Sequence, residues 1–348
     1  MKRNEEHIET TIHGCGNGRI SRHYNGNHVG MIVNGDCLEE LDKLDENSID
    51  AIVTDPPYLL GFMGKEWDKG DISSDKNTWE KCLRVLKPGG YLLSFGGTRT
   101  YHRIACAIED AGFEIRDCIQ WIYGSGFAKS LNALKPSWEP IVMARKPFKG
   151  SLADNVMKYG VGGLNIDECR VWNGEPIAKL GEEKNVGRFP ANTILTYDEN
   201  DYEEVCGGFP YSKGGSGKGF KKGDYGFGET ATSFGRGDFK PYNDSGSAAR
   251  YFYCARASRK DRDEGLPEGE QSTHPTVKPT ALMQYLIRLV SPKGATILDP
   301  FMGSGSTGKA VMYENKERNA NYKFIGIEKD AEYCRIAEAR IKNAESNK

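Results

Sequence analysis

Short apolar runs that end in polar loops recur along the first third of the chain. Residues 31–33 read MIV before Asn34-Gly35-Asp36, and the run at 49–54 is followed by a loop that begins at Asp55. Runs of this length, bounded by turn residues, are typical of buried strands. Further strands are predicted at 91–95, 113–123 and 140–146, and apolar residues at helical spacing predict helices at 73–86 and 98–111.

The same alternation returns near the C-terminus. Pro279 stands in the first turn of a helix predicted to reach Val290, and further elements are predicted as strands at 296–300 and 323–328 and as helices at 306–314 and 330–344. This pattern predicts an α/β fold with a doubly wound, mostly parallel sheet that a loop-rich insert interrupts. We divide the chain into an N-terminal arm (1–30), a first half of the sheet domain (31–150), the insert (151–262) and a second half (263–348).

The insert differs from the rest of the chain in composition. Between Gly207 and Gly246 it holds twelve glycines in forty residues, with aromatic residues interleaved among lysines, so long loops are predicted. Residues 207–260 carry ten Lys and Arg against four acidic residues, although the net charge of the chain is −2. A basic segment on an acidic body predicts a phosphate-contacting surface, and a solvated loop is the alternative. The candidate contacts are Lys213, Lys218, Lys221, Lys222, Arg236, Arg250, Arg256, Arg259 and Lys260.

Composition narrows the class of protein. The 348 residues are 38% hydrophobic and 28% charged, and no apolar run has the length of a membrane span or the pattern of a signal peptide, so a cytoplasmic globular protein is expected. Nine cysteines without a CxxC pair fit reduced thiols. The N-terminal arm offers zinc-type side chains, but their spacing matches no ligand pattern, so no metal site is predicted. These side chains are His7, His13, Cys15, His23 and His28.

A glycine-rich loop at 298–308, LDPFMGSGSTG, joins a predicted strand to a predicted helix. Glycine lets backbone approach a ligand closely, and the helix N-terminus offers free N–H groups. Gly303, Gly305 and Gly308 spell GxGxxG, and Glu328 ends the next strand, where an acidic residue binds the ribose of a nucleotide-containing cofactor. Residues 303–309 also match GxxxxGK, but Ala310 stands where a phosphate-binding loop needs Ser or Thr.

The second motif, Asp55-Pro56-Pro57-Tyr58, follows a predicted strand, where open α/β sheets bind ligands. Two prolines that merely end a strand are the structural alternative. An exocyclic amine on adenine or cytosine is a poor nucleophile, because its lone pair is delocalised into the ring. The Asp55 carboxylate and the Pro56 carbonyl can accept both amino hydrogens and favour a pyramidal nitrogen that attacks a sulfonium methyl. The prolines stiffen this strip, and Tyr58 offers a stacking face for a base flipped out of a duplex.

Together these segments resemble the DNA N4-cytosine/N6-adenine methyltransferase family, in the permuted order with the DPPY half first and within its phage-type and prophage-type branch. The resemblance covers most of the chain, and Ser306, where threonine is common, is a mild departure. The segments that carry it are NGDCLEEL (34–41), DPPYLLGFMGKEWD (55–68), LKPGG (86–90), GSGFAKSLN (124–132), WEPIVMARKP (138–147), GRFPANTIL (187–195), ARYFYCARASRKDRDEGL (249–266), HPTVKP (274–279), LDPFMGSGSTG (298–308) and FIGIEKD (324–330).

The resemblance implies a methyltransferase fold, S-adenosylmethionine as cofactor and double-stranded DNA as partner. It implies that 31–150 is the catalytic half, 263–348 the cofactor-binding half and the insert the target-recognition module. The catalytic residues would be Asp55, Pro56, Pro57 and Tyr58. The cofactor residues would be Asp299, Phe301, Gly303, Ser304 and Gly305 around the methionine and sulfonium part, Glu328 on the ribose, Asp36 and Cys37 at the adenine ring, and Lys278 and Pro279 at the pocket mouth.

Several alternatives stay open from the sequence. Asp at position 55 favours adenine N6 within the resembled family, and N4 of cytosine is the alternative target. An RNA substrate is also compatible with the motifs. An NAD-dependent oxidoreductase would leave DPPY and HPTVKP unexplained, and a non-catalytic nucleic-acid-binding module would leave the glycine loop unexplained. The resemblance is compatible with a homodimer and with a partner restriction nuclease.

Overall fold

The computed structural model describes residues 30–60, 70–123, 131–171, 177–179, 182–184, 187–198, 209–213, 245–257 and 259–346. The histidines and cysteine of the N-terminal arm lie outside these ranges. So do four of the predicted phosphate contacts, namely Lys218, Lys221, Lys222 and Arg236.

The first half of the sheet domain contains five strands and three helices among the described residues. They are β1 (Gly30–Asn34), α1 (Cys37–Asp42), β2 (Ile49–Thr54), α2 (Lys76–Val85), β3 (Leu86–Phe95), α3 (Tyr101–Asp110), β4 (Glu114–Tyr123) and β5 (Trp138–Arg145). Asp36 and Asp75 cap α1 and α2, since each side chain accepts a hydrogen bond from a first-turn N–H.

The remaining described elements belong to the insert and the second half. They are α4 (Leu152–Tyr159), β6 (Ile177–Lys179), β7 (Glu182–Lys184), β8 (Thr193–Asp198), β9 (Tyr211–Lys213), β10 (Ser245–Ser247), β11 (Tyr253–Ala257), α5 (Arg259–Asp263), α6 (Thr280–Val290), β12 (Thr296–Asp299), α7 (Ser306–Arg318), β13 (Lys323–Glu328) and α8 (Ala331–Ser346). Short 3-10 turns form at Asp167–Cys169 and Ala248–Tyr251.

Nine strands form one sheet in the order β1-β13-β12-β2-β3-β5-β4-β8-β11. Every neighbouring pair is parallel except the two that involve β5, which runs antiparallel to β3 and to β4. The predicted doubly wound, mostly parallel sheet is confirmed. The reversal of β5 also brings its first residues to the edge where the other strands end.

Helices cover both faces of this sheet. Ala51 and Val53 of β2 face a core built with α6, α7 and α8, whereas Ile52 faces a second core built with α1, α2 and α3. All six residues of β2 are buried, as expected for a central parallel strand. No helix among the described residues is long and apolar enough to cross a membrane.

Two details differ from the expectation. Strand β3 begins at Leu86, so the LKPGG segment predicted to end a helix already pairs in the sheet. Strands β8 and β11 of the insert extend the same sheet beyond β4, and Ile194 and Ala255 contribute to its core. The insert therefore shares the sheet of the two halves, and its boundaries at 151 and 262 stay a prediction.

Candidate active site

The carboxyl ends of β1, β2, β12 and β13 meet at one edge of the sheet, because these strands are adjacent and parallel. A cleft of about 600 Å³ opens there. All four predicted catalytic residues line it, together with eight of the ten predicted cofactor residues. These twelve are Asp55, Pro56, Pro57, Tyr58, Asp36, Cys37, Lys278, Asp299, Phe301, Gly303, Ser304 and Glu328.

The strip that begins at Asp55 leaves the end of β2 in a conformation fixed by hydroxyl groups. Ser73 donates a hydrogen bond of 2.6 Å to the Pro57 carbonyl, and Thr100 donates one of 2.6 Å to the Tyr58 carbonyl. Both donors lie on the segments that flank the strip in the fold. The backbone of the predicted catalytic strip is therefore held before any substrate arrives.

The Asp55 carboxylate takes part in a polar network at the base of the cleft. Its Oδ1 lies 2.7 Å from the Tyr58 hydroxyl, and its Oδ2 accepts a hydrogen bond of 2.7 Å from Lys278 Nζ. The Tyr58 hydroxyl also lies 2.8 Å from Oε2 of Glu139, which is 3.3 Å from Lys278 Nζ. Glu139 belongs to β5 and was not among the predicted site residues.

Lys278 was predicted at the mouth of the cofactor pocket, and its ammonium group lies 2.7 Å from the Asp55 carboxylate. The side chain is only 6% exposed. Its Nζ lies 5.3, 5.1 and 5.9 Å from the ring centres of Tyr58, Phe95 and Trp121. Burial alone would lower the pKa of Lys278, but the carboxylates of Asp55 and Glu139 raise it above its usual value. Lys278 is therefore a buried cation.

Glu328, at the end of β13, holds the glycine-rich loop. Its Oε2 accepts a hydrogen bond of 2.8 Å from the Gly303 N–H, and its Oε1 accepts one of 2.8 Å from the Asp330 N–H. Burial raises the pKa of Glu328, although these two N–H groups oppose the change. Each carboxylate oxygen keeps a lone pair, so the side chain can still accept a hydrogen bond from a ribose hydroxyl.

Gly303 and Gly305 are required for different reasons. Gly303 has a φ of +52°, and a Cβ atom there would lie 2.8 Å from Nε2 of His274, a residue that lines the cleft. Gly305 has a φ of +77° and does not line the cleft, and its Cβ would lie 3.0 Å from Cα of Ala337 in α8. A side chain at Gly305 would therefore meet helix α8, and the contact of the Gly305 backbone with the cofactor stays a prediction.

Two buried residues hold the glycine-rich loop in place through hydrogen bonds. Arg340 of α8 is fully buried and donates a hydrogen bond of 2.6 Å to the Ser304 carbonyl. Asp299 is 2% exposed and accepts hydrogen bonds from the hydroxyls of Thr54 and Thr307 at 2.7 and 2.6 Å. Because Thr54 precedes Asp55 and Thr307 follows the glycine-rich loop, Asp299 links the strip at 55–58 to that loop. Burial raises the pKa of Asp299 to about 7, against the effect of its hydrogen bonds.

The alternative interpretation of 303–309 as a phosphate-binding loop is excluded by the position of Lys309. This lysine is fully buried, and its Nζ lies 2.6 Å from Oδ1 of Asp261 and 2.9 Å from Oε2 of Glu264. Asp261 also accepts hydrogen bonds from the N–H and hydroxyl of Thr280 at the start of α6. Lys309 therefore fastens α5 to α7 and is not directed at a ligand.

The remaining predicted cofactor residues lie at the ends of elements that surround the cleft. Asp36 caps α1, and its Oδ2 lies 3.1 Å from Lys329 Nζ. Burial alone would raise the pKa of Asp36, but Lys329 lowers it below its usual value. Cys37 is buried beside it, and burial raises the pKa of its thiol to about 12. Pro279 precedes α6 and does not line the cleft.

Five of the nine predicted phosphate contacts belong to the described part of the chain. Lys213 ends β9, Arg250 lies in a 3-10 turn, Arg256 is in β11 and Arg259 begins α5. Lys260 is exposed. Their role in DNA binding stays a prediction.

The side chains around the cleft suit a cationic, adenosine-containing cofactor. Among the described lining residues five are acidic and two are lysines, so the cleft carries a negative excess. Phe301 and Ile327 supply apolar surface, and the volume falls within the range of ~300–1,000 Å³ usual for small-molecule sites. The acidic residues are Asp36, Asp55, Asp299, Glu328 and Asp330.

The chain is similar in sequence to known DNA methyltransferases. The chain is 26% identical over 328 residues to DNA adenine methyltransferase YhdJ of Escherichia coli, an alignment that covers 91% of this chain and 84% of YhdJ. It is 24% identical to the Type II methyltransferase M.HindIII of Haemophilus influenzae, in an alignment that covers 90% of this chain and 95% of that protein. The crystal structure of the M1.HpyAVI complex with SAM aligns with a TM-score of 0.45 and 19% identity, covering 90% of this chain and 98% of that one.

A family model extends this likeness over most of the sheet domain. The model of the N6/N4 methyltransferase family, described as DNA methylase, matches residues 49–339, from the strand before Asp55 to the last helix. The match includes both the strip at 55–58 and the glycine-rich loop. The chain therefore belongs to the N6/N4 DNA methylase family.

Proposed function

We propose that this DNA methylase transfers a methyl group from S-adenosylmethionine to the exocyclic N6 of an adenine that has been flipped out of double-stranded DNA. The proposal rests on the observation that Asp55 and the Gly303 loop line the same cleft, where they follow the ends of the neighbouring strands β2 and β12. A group that activates an amine and a loop that receives a methyl donor are thus within one small volume.

The chain contributes to the reaction mainly by holding acceptors for the amino hydrogens. The Asp55 carboxylate and the Pro56 carbonyl stand at the end of a rigid, buried strand. Acceptors fixed in this way favour the pyramidal nitrogen, whose lone pair is free to attack, and they require no reorganisation when positive charge develops on it. The methylated nitrogen then loses one proton, for which Asp55 or water is a sufficient base.

The cofactor would be held mainly by the second half of the sheet domain. Glu328 would bind the ribose hydroxyls, Asp36 and Cys37 would border the adenine ring, and the negative excess of the cleft would favour the cationic methionine end. When bound, S-adenosylmethionine supplies a methyl group on a positively charged sulfur that departs as a neutral thioether. Asp299 would act indirectly, because its carboxylate already accepts hydrogen bonds from three donors.

The adenine assignment is supported by Asp at position 55 and by the name of the relative YhdJ. The insert would recognise the target sequence, and its basic residues would contact phosphates. The relatives M.HindIII and M.HpaI are named Type II methyltransferases, which supports a partner restriction nuclease. A DNA substrate also supports a cytoplasmic site of action.

The proposal is tested by replacing Asp55. Asp55→Ala is expected to lower kcat roughly 100- to 1,000-fold, the scale for removing one polar group that acts on the transition state. Calorimetry should give an affinity for S-adenosylmethionine close to that of the wild type, because the partner of Asp55 is the target amine. Asp110→Ala, at an exposed position at the end of α3, is the control. A variant with reduced cofactor affinity but an unchanged rate at saturating cofactor would contradict the assignment.

A further inference from the structure

The Tyr58 hydroxyl lies between two carboxylates. Its oxygen is 2.7 Å from Oδ1 of Asp55 and 2.8 Å from Oε2 of Glu139. A phenol has one hydrogen to donate, so it satisfies only one of these acceptors at a time. Burial, together with the two carboxylates, raises the pKa of Tyr58 well above its usual value, so the hydroxyl keeps its proton. The two acceptors therefore compete for one donor.

Glu139 is built into the fold behind the catalytic strip. It is the second residue of β5, which runs antiparallel to its neighbours and begins at the edge where β2 ends. Its Oε1 lies 3.2 Å from the Tyr123 hydroxyl on β4. Glu139 does not line the cleft, so a bound base would meet Asp55 and Tyr58 but not Glu139.

The network carries an unequal number of charges. Lys278 contacts both Asp55 and Glu139, so one buried cation is shared by two carboxylates. Methyl transfer moves a positive charge from sulfur to the amino nitrogen. The second carboxylate leaves one uncompensated negative charge close to that nitrogen, and this charge favours the movement. Its effect is stronger than in water, because aromatic rings shield the site from solvent.

We infer that Glu139 is a positioning residue for the methyl transfer. When the amino group of the target base binds Asp55, Glu139 accepts the hydrogen bond from the Tyr58 hydroxyl. Glu139 also then shares more of the contact with the Lys278 ammonium group. Oδ1 of Asp55 is thereby released to accept an amino hydrogen, and the network keeps one negative charge that faces the developing cation. This inference rests on the proposed transfer to an amine held by Asp55.

The test compares Glu139→Gln with Glu139→Asp. Gln keeps the shape but removes the charge and presents an amide N–H to the network, whereas Asp keeps the charge on a shorter side chain. Glu139→Gln is expected to lower kcat roughly 10- to 100-fold, the value of one hydrogen bond to a charged group. Glu139→Asp should fall between this variant and the wild type. The KM and the calorimetric affinity for S-adenosylmethionine should stay close to wild type in both.

A matched control is Glu114→Gln. Glu114 also lies in this strand pair and also binds a cation, Arg145, at 2.7 Å, but it pairs with the last residue of β5, whereas Glu139 is near the start of that strand. Its kcat should be unchanged. The affinity for S-adenosylmethionine also reports whether a variant is folded. If the Glu139→Gln protein fails to bind the cofactor, Glu139→Asp replaces it in the comparison. The expected result is then a kcat of Glu139→Asp below that of the wild type.

A double-mutant cycle with Tyr58→Phe asks whether Glu139 acts through Tyr58. In the Phe background the effect of Glu139→Gln should shrink by at least about threefold, because the hydroxyl that Glu139 receives is gone. Three results would overturn the inference, provided that the wild type is active. The kcat of Glu139→Gln could lie within threefold of the wild-type kcat, or the Gln and Asp variants could have equally low kcat values. The reductions in kcat caused by Glu139→Gln and Tyr58→Phe could also simply multiply in the double variant. A wild type that methylates no DNA would instead overturn the proposed function.

Discussion

Replacing Asp299 by Asn should change how the stability of the protein depends on pH. The carboxyl group is 2% exposed, and burial raises its pKa to about 7, whereas an aspartate in an unfolded chain titrates at about 3.9. Between these values the folded state holds a proton that the unfolded state has released. The stability that this proton contributes is therefore complete below pH 4 and is lost as the pH rises to 7 and above.

The expected size follows from the two pKa values. Relative to Asp299→Asn, the wild type should lose about 3 kcal/mol of unfolding free energy between pH 5 and pH 8. Denaturant unfolding at both pH values measures this difference. The contributions of the other titrating groups are the same in the two proteins and therefore cancel. Asp110→Asn, at an exposed position, should show no such change. Parallel pH profiles for wild type and Asp299→Asn would refute the argument that burial raises the pKa of Asp299.

Three further predictions concern the glycine-rich loop, the buried ion cluster and the insert. Gly305→Ala should lower the unfolding free energy by roughly 2–5 kcal/mol, because it adds backbone strain and a clash with Ala337. Gly160 has the same φ of +77° but open space around it, so Gly160→Ala should add only the strain, and equal reductions of the unfolding free energy in denaturant titrations would contradict the clash. Lys309→Met should destabilise the protein by roughly 3–5 kcal/mol because it removes the buried ammonium group that contacts both Asp261 and Glu264. A melting temperature equal to that of the wild type would show that this ion cluster is unimportant for stability. Neutralising three lysines of the insert together should reduce the slope of log DNA affinity against log salt by roughly one unit for each lysine that binds a phosphate, without changing the affinity for S-adenosylmethionine, and an unchanged slope would leave the segment a solvated loop. The three lysines are Lys218, Lys221 and Lys222.

The strands and loops that form the cleft were predictable because they are local. The runs before Asp36, Asp55 and Asp299 are apolar and short, and each ends in a polar or glycine-containing loop. Parallel strands bring such loops to the same edge of a sheet. The resemblance to the methyltransferase family then supplied the residues that were expected to meet there. The observed cleft contains twelve of the fourteen residues predicted for catalysis and cofactor binding.

The roles of Glu139 and Lys278 could not be predicted from the same signals. The segment at 140–146 indicates a strand but carries no information on its direction, and Glu139 reaches Tyr58 only because β5 is reversed. Lys278 precedes a helix in a segment without strand character, so its distance from Asp55 depends on tertiary packing. Strands β8 and β11 were not predicted, because their sequences TILTYD and YCARA are short and flank the glycine-rich segment at 207–246.

The central claim is that the cleft methylates N6 of adenine in DNA, and a single measurement tests it. The protein is incubated with duplex DNA and S-adenosylmethionine labelled in the methyl group, and the DNA is digested to nucleosides, which are separated by chromatography. The label is expected to elute with the N6-methylated deoxyadenosine and to be absent when Asp55→Ala replaces the wild type. Label in N4-methylcytosine would overturn the adenine assignment, and DNA that carries no label would contradict the proposed function itself.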